Sequence, residues 1–522
     1  MRPTNGGGSD ALLTHDGRQN VQPAWSPDGR SIAFHSMARG GIWIAPATGG
    51  PARQVSEFGA RPAWSPDGRR LAFQSGASAD IAPASRPANL PSTIWTVDVA
   101  GGQPRPLTRR GVPIGGHGAP AWSPDGRQVV FASAGFARAG IWAIDVEGGE
   151  PFEIAGDLGE AYDPVYLPGG RAVIFATPRM LWRVPLDARG RPAGAAARYV
   201  PASLQGIRHL TIARDGRIAV AALTLDSGLW SVAVDADGMA SGAARPLTND
   251  TRQRNSRPTF SPDGRRIAVM SSTTGHAPDV WMMNADGTGL QQLTTAPDFE
   301  SDPRWSPDGR EVIFKSLRSQ TAGLWAIDVE TRRERQIARF GSIDEIVRQQ
   351  GLIEELAVSP DATRIAYTVL EPRTSTKALY VRRIAGGEPE RLTTGDPLTG
   401  YPAWSPDGRW IALEVFEPGR TDLALVPSDG GPLYRLHSEG GHSWVHGFSP
   451  DGERLVFAGQ RNGIWNIYWI PRGGGEEHAV TSNTDVGVFV RYPSWSPHGD
   501  QIVFEHGAVR GNVWIMQAPG PQ

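Results

Sequence analysis

Serine, histidine and arginine side chains at suggestive spacings raise the first question about this chain. The string Gly441-His442-Ser443-Trp444-Val445 approaches the G-x-S-x-G elbow that presents a nucleophilic serine at a strand-to-helix turn. Its last position is Val, and the string runs into an apolar strand, so a hydrolase nucleophile is not expected. His442 and His446 have the four-residue spacing of two metal ligands on a helix, but in a strand that spacing only puts them on one face. No third ligand stands near them. Asn284-Ala285-Asp286-Gly287-Thr288-Gly289 holds a fragment of a calcium loop and lacks the closing Glu. The Gly-rich strings have no strand-loop-helix context that would cradle a phosphate. The residues therefore predict no catalytic group, no metal and no cofactor.

A second set points to binding. Arg61, Arg208, Arg257, Arg304, Tyr401, His442, His446 and Tyr492 fall in the stretches that lead into a recurring aromatic anchor. Arg39, Arg138, Arg420, Arg461 and Arg510 stand just ahead of another recurrent strand. Guanidinium, phenol and imidazole groups gathered at one mouth would recognise an acidic or carboxylate-bearing ligand. The competing expectation is that these arginines pair with neighbouring carboxylates and brace loops.

The elements that must position these groups come from one repeated phrase. Trp25-Ser26-Pro27-Asp28-Gly29 returns intact at Trp64, Trp122, Trp305 and Trp404, with Phe as its first residue at Phe260 and Phe448, and loosely at Tyr166, Ile212, Val358 and Trp495. These eleven anchors are spaced 39 to 58 residues apart. Ser-Pro-Asp-Gly is turn chemistry: Pro presets φ, Asp bonds back to the local backbone and Gly takes the positive-φ place. An apolar strand follows the phrase, as in Ile32-Ala33-Phe34 and Leu455-Val456-Phe457. Next comes a strand with an apolar-aromatic pair, such as Ile42-Trp43 or Val280-Trp281, then a Gly-rich turn and a short last strand like Pro106-Leu107-Thr108. The strand ending in the anchor, strand A, is thus followed by B, C and D. Of the 18 Trp, six fall in strand A and nine in strand C, as packing of sheet against sheet requires. A repeat of this length made of short strands predicts an all-β propeller array of eleven four-stranded blades.

Single rings hold about 4–8 blades, so two rings are expected: blades 1–5 over residues 1–250 and blades 6–11 over 251–522, joined between Pro246 and Ser256. Ser342-Ile343-Asp344-Glu345 fits a capping box and predicts a short helix over Ile343–Gln350, a competing join. The Ala/Ser/Pro-rich stretch Gly76–Ser92 reads as an inserted loop. The last repeat has strands at Pro493–Trp495, Gln501–Glu505 and Asn512–Met516 and lacks a fourth, whereas Ala11-Leu12-Leu13-Thr14 is a strand-D pattern ahead of the first repeat. Ala11–Thr14 is therefore expected to pair with Asn512–Met516, building the last blade from both termini and covering an open strand edge. If two rings exist, the ring with this closure must hold the first and last blades, and the other would be inserted within it.

With 54 acidic and 52 basic side chains the net charge is −2, which gives no electrostatic footprint for nucleic acid. No apolar run is long enough to insert in a membrane, there is no Cys, and the start, Met1 to Gly8, carries no hydrophobic leader. That start reads as cytoplasmic as written, or periplasmic if the gene start is truncated. The order of residues, "PAWSPDGR" then "IAF", "IW" and "LT", resembles the TolB-type, WD40-like (PD40) propeller repeat of bacterial proteins from Ala11 to Met516. The resemblance implies a non-enzymatic binding, scaffolding or sensor propeller with a protein, peptide or small-ligand partner on its loop face. Its alternative implication is a substrate-gating propeller of a dipeptidyl-peptidase-like or tricorn-like hydrolase with its catalytic part on another chain.

Overall fold

The computed structural model describes residues 14, 20–36, 39–76, 92–113, 115–134, 140–156, 161–177, 180–200, 207–213, 215–248, 253–273, 277–318, 321–342, 352–371, 376–395, 397–417, 420–436 and 441–517. The expected helix Ile343–Gln350, most of the Gly76–Ser92 insertion, Arg138 and Ala11–Leu13 lie outside them. Among the described residues the chain is all-β, without an α-helix, and its strands form antiparallel sheets of mostly four strands each. No helix is long and apolar enough to cross a membrane.

Between strands A and B, the intact copies of the phrase build their own turn. Ser26 Oγ donates to Asp28 Oδ1 (2.6 Å), the Arg30 N–H donates to the same oxygen (3.0 Å), and Gly29 takes φ 71°. The Ser26 hydroxyl and the Arg30 N–H hold the Asp28 carboxyl below its usual range. The same Ser–Asp bond recurs at Ser65–Asp67, Ser123–Asp125, Ser306–Asp308 and Ser405–Asp407. The anchor tryptophan then reaches the neighbouring sheet. Trp64 Nε1 donates to Ala24 O (2.9 Å), Trp122 to Ala63 O (3.0 Å), Trp305 to Thr259 O (3.1 Å) and Trp404 to Ala357 O (3.1 Å). Large indoles so placed bury area and leave no unpaired N–H, which suits an interface between stacked sheets.

The chain divides into two compact units, Met1–Leu225 with Val509–Gln522, and Asp226–Ala508. In the first, sheets begin at the strands Asn20–Trp25, Ala60–Trp64, Gly116–Trp122 and Tyr162–Tyr166, and Ile207–Ile212 opens a further one. In the second, they begin at Gln253–Phe260, Glu300–Trp305, Leu352–Val358, Leu398–Trp404, His442–Phe448 and Val488–Trp495. The sheets from Leu398 and His442 are joined by one parallel bridge, Thr421 to His442.

Two strands depart from the repeat. The sequence reading separates strands B and C in the fifth repeat and again in the last. The structure runs each pair together without a turn, as Arg217–Ala233 and Gln501–Gln517, and makes the two long strands neighbours. In the first unit, 217–225 and 509–517 complete the sheet opened by Ile207–Ile212. In the second unit, 226–233 joins Arg245–Pro246, 501–508 and Val488–Trp495. The segments between B and C, 223–228 and 506–511, have no Pro and are drawn out as ladder instead of folding back. Partner choice here belongs to residues nearly 300 positions away, which repeat periodicity does not encode.

Candidate functional site

Strand A of the repeats carries a pairing defect that sets one residue off the ladder. Its pairing with strand B slips between Ala60 and Ala63, Tyr162 and Val165, Ser256 and Thr259, Ser301 and Arg304, Gly400 and Ala403, and Arg491 and Ser494. The slipped residue has positive φ although it is not glycine: Arg61 (52°), Asp163 (49°), His209 (55°), Arg257 (53°), Asp302 (56°), Tyr401 (51°) and Tyr492 (52°). Most of these residues precede a proline, which has no N–H to lose from the ladder. Side chains rarely tolerate this backbone region, and bulges of this kind re-aim a residue.

In the first unit the aimed residues meet. Arg61 Nη1 pairs with the Asp163 carboxylate, and its Nη2 lies 3.3 Å from His209 Nδ1. The His209 N–H donates to Asp163 Oδ2 (2.6 Å), and the Arg61 N–H donates to Gln22 Oε1 (3.0 Å). Four blades thus converge on one group. Burial by itself would raise the Asp163 carboxyl, but the charges and hydrogen bonds of Arg61 and His209 outweigh it and hold the group below its usual range. This network is engaged with itself.

The second unit gathers a larger and more cationic group. Arg257 pairs with Asp302, and its guanidinium lies 4.5 Å from the Tyr492 ring centre. His446 meets the same ring edge-on at 5.0 Å. Arg254 holds Glu505 with Nε at 2.7 Å and Nη2 at 3.1 Å. These two pairs use both carboxylates and leave Arg304 and Arg491 without a hydrogen-bonded carboxylate among the described residues. Arg491 is 6% exposed, and its Nε has no hydrogen-bond partner there. Nε2 of His446 is buried without one as well. Burial, then the charges of Arg257, Arg304 and Arg491, push the His446 imidazole well below its usual value, so it stays neutral at pH 7. Burial likewise lowers Arg304 and Arg491. A neutral imidazole, two tyrosines and under-paired guanidiniums are hydrogen-bond donors suited to an anion.

Of the residues singled out in the sequence, the structure brings Arg257, Arg304, Tyr401, His446 and Tyr492 together; Tyr401 acts electrostatically on Arg257. Arg61 sits in the first unit's group. Arg208 belongs to the strand Ile207–Ile212, its side chain outside the described set. His442 is placed elsewhere, at the start of its strand, where its carbonyl accepts from Arg461 Nη1 (3.0 Å). Ser443 is fully buried within that strand, its Oγ accepting from Arg461 Nη2 (2.9 Å), which is not the geometry of an elbow nucleophile. Arg461 is itself held by Glu477, and Arg420 by Glu417, so these two brace loops. Asn284–Gly289 is a tight turn in which Asp286 accepts from Thr288. Among the described residues no three His, Asp or Glu side chains are grouped to hold a metal.

Sequence reasoning missed Asp163, His209, Asp302, Arg491, Arg254 and Glu505. A signal was available for several. Gln22, Arg61, Asp163, His209, Arg257, Asp302, Tyr401 and Tyr492 all stand three positions before their anchor.

A family model described as the TolB beta propeller domain, PD40, matches residues 231–347 and 343–519. The uncharacterized peptidase YuxL of Bacillus subtilis is 31% identical over 188 residues, covering 36% of this chain and 25% of that protein. The Tol-Pal system protein TolB of Anaeromyxobacter dehalogenans is 29% identical over 219 residues, covering 41% of this chain and 44% of that protein. The matches therefore span a quarter and under half of these relatives. Among solved structures, putative TolB from Agrobacterium tumefaciens is 19% identical with a TM-score of 0.41, over 55% of this chain and 99% of that one. The tricorn protease is 12% identical with a TM-score of 0.32, over 96% and 63%. With its family model matched over more than half of its length, the chain belongs to the TolB β-propeller (PD40) family.

Proposed function

We propose that the protein is a non-enzymatic binding propeller that takes an acidic protein or peptide at the re-aimed residues of its second unit. The observation that carries this reading is the under-paired cationic group there: Arg491 and His446 keep buried nitrogens without partners, beside an Arg304 that has no hydrogen-bonded carboxylate. Buried donors left unsatisfied cost about 1–3 kcal/mol each, and an incoming carboxylate would relieve that cost. Arg257 and Tyr492 form the wall, and Tyr401 adds a phenol. Likeness to the Tol-Pal system protein TolB supports a protein partner.

Glutamate-rich and matched glutamine-rich peptides on an array test this. The chain should prefer the acidic set at low salt, and Arg304→Gln should remove most of that preference. Equal binding of both sets, or a preference unchanged by charge reversal at Arg61, Arg257 and Arg304 together, overturns the reading. A second role, as the substrate-gating propeller of a hydrolase on another chain, draws on the likeness to peptidase YuxL. Peptidase activity appearing only on mixing with a separate hydrolase chain would favour it.

A further inference from the structure

The imidazole within the second unit's cationic group is placed to take up charge. His446 stands at the bulge of the strand His442–Phe448, where pairing with Arg454–Arg461 slips between Val445 and Gly447. Its Nε2 is buried without a hydrogen-bond partner, and its ring meets Tyr492 edge-on. Three guanidiniums act on it from three other strands: Arg257 of Gln253–Phe260, Arg304 of Glu300–Trp305 and Arg491 of Val488–Trp495. Tyr401 of Leu398–Trp404 acts on two of the same guanidiniums, Arg257 and Arg491.

The carboxylates nearby are committed to other groups. Asp302 is held by Arg257, and Glu505 by Arg254. On the strands packed against His442–Phe448, Asp422 lies 3.2 Å from Arg420, and Glu417 pairs with Arg435. The cations there are engaged too, Arg454 with Asp451 at 3.9 Å and Arg461 with Glu477 at 2.8 Å. Glu414 is buried within Trp410–Glu417, opposite Gly400, and His442 stands at the far start of the bulged strand. An imidazolium at 446 would thus add a fourth positive charge to the group. Left to these neighbours, the ring stays neutral at pH 7.

A carboxylate brought by a ligand reverses that balance. An opposite charge within about 4–6 Å of a titratable group favours its charged form by about 1–3 on the pH scale. Arginines stay charged throughout, so the imidazole is the group here that changes charge near neutral pH. A neutral ring donates from one nitrogen only, whereas the imidazolium donates from both. We infer that the second unit takes up its acidic ligand together with a proton: as a carboxylate settles among Arg304, Arg491 and His446, the imidazole becomes imidazolium and its Nε2–H donates to that carboxylate. The inference rests on the acidic-ligand reading above and adds a pH dependence to it. One proton leaves the solvent for each ligand bound, and the ligand carboxylate stays ionised. With the bound-state value of His446 above its free one, affinity rises as pH falls between the two, by up to about tenfold per pH unit.

Titration calorimetry of the full chain with a glutamate-rich peptide reads that proton directly. It is run in two buffers of different ionisation enthalpy from about pH 7.5 to about 5.5, around the ordinary imidazole value of about 6.5. Uptake should approach one proton per peptide at its maximum and vanish in His446→Gln, whose remaining affinity should not vary with pH. A second reading needs no variant to bind. At about pH 6, the ring signal of His446 in nuclear magnetic resonance, assigned by its loss in His446→Gln, should move from its neutral to its imidazolium position when peptide is added to the wild-type chain. Peptide bound without uptake across this range, uptake that persists in His446→Gln, or a ring signal that stays neutral overturns the inference and leaves the acidic-ligand reading standing. A wild-type chain that does not capture the peptide at all sinks both.

Discussion

Glu505 is the residue whose loss should be felt most in the second unit. It is fully buried, accepts two bonds from Arg254 at 2.7 and 3.1 Å and a third from Ser227 Oγ at 3.1 Å. Ser227 lies in the stretch 226–233, and Arg254 in the strand Gln253–Phe260, so one carboxylate ties two sheets of that unit. Glu505→Ala removes every acceptor and leaves the Arg254 guanidinium, only 15% exposed, without its counter-charge. Breaking a buried pair from one side costs about 3–5 kcal/mol. At about 2 °C per kcal/mol for a unit of this size, the corresponding calorimetric transition should fall by about 6–10 °C. Glu505→Gln keeps the shape and one acceptor and should fall by less. Glu505→Met combined with Arg254→Met should recover most of the loss, because no charge is then stranded. A shift below about 2 °C in Glu505→Ala, or a double variant as unstable as the single one, would refute the view that this pair holds the two sheets together.

Three further outcomes follow from other contacts. His117 is 1% exposed, with Nδ1 accepting from Thr108 Oγ1 and Nε2 donating to Pro113 O, and burial lowers it to about 4. With its folded value below the unfolded one, its contribution is whole above about pH 6.5 and drains as pH falls to 4, by roughly 3 kcal/mol, so urea midpoints of His117→Gln should depend less on pH in that window. At Gly59 a Cβ would lie 2.3 Å from Phe73 at φ 98°, whereas at Gly49 (φ 86°) it meets nothing within 4 Å; alanine should cost about 1–2 kcal/mol at Gly49 and distinctly more at Gly59, read as denaturation midpoints. Trp404→Phe loses the bond to Ala357 O and should cost about 1–2 kcal/mol, and Trp404→Ala about 3–5 kcal/mol, by the same measurement.

The blades were legible because their chemistry is local. Ser26, Asp28, Gly29 and Trp25 lie within five residues, and the bonds that make the turn are made among them whatever lies elsewhere. The alternation of apolar pairs such as Ile42-Trp43 likewise reports burial in place. The candidate site was legible in part: Arg257, Arg304, Tyr401, His446 and Tyr492 were picked out by type and position, but not what each one faces. Asp163 was invisible as the partner of Arg61 because 102 residues separate them, and only the stacking of blades brings them together. His442 and His446 read as equivalents, until the bulge beside Val445 placed one in the cationic group and the other at the strand start. The two long strands mark the limit most clearly. The residues alone dictate the apolar strands B and C of these two repeats, such as Gln501–Glu505 and Asn512–Met516, but not that 217–233 and 501–517 run on unbroken. Which halves they complete was decided by tertiary structure, because strand pairing takes the partner that fills an empty edge, and the empty edges here lie hundreds of residues away.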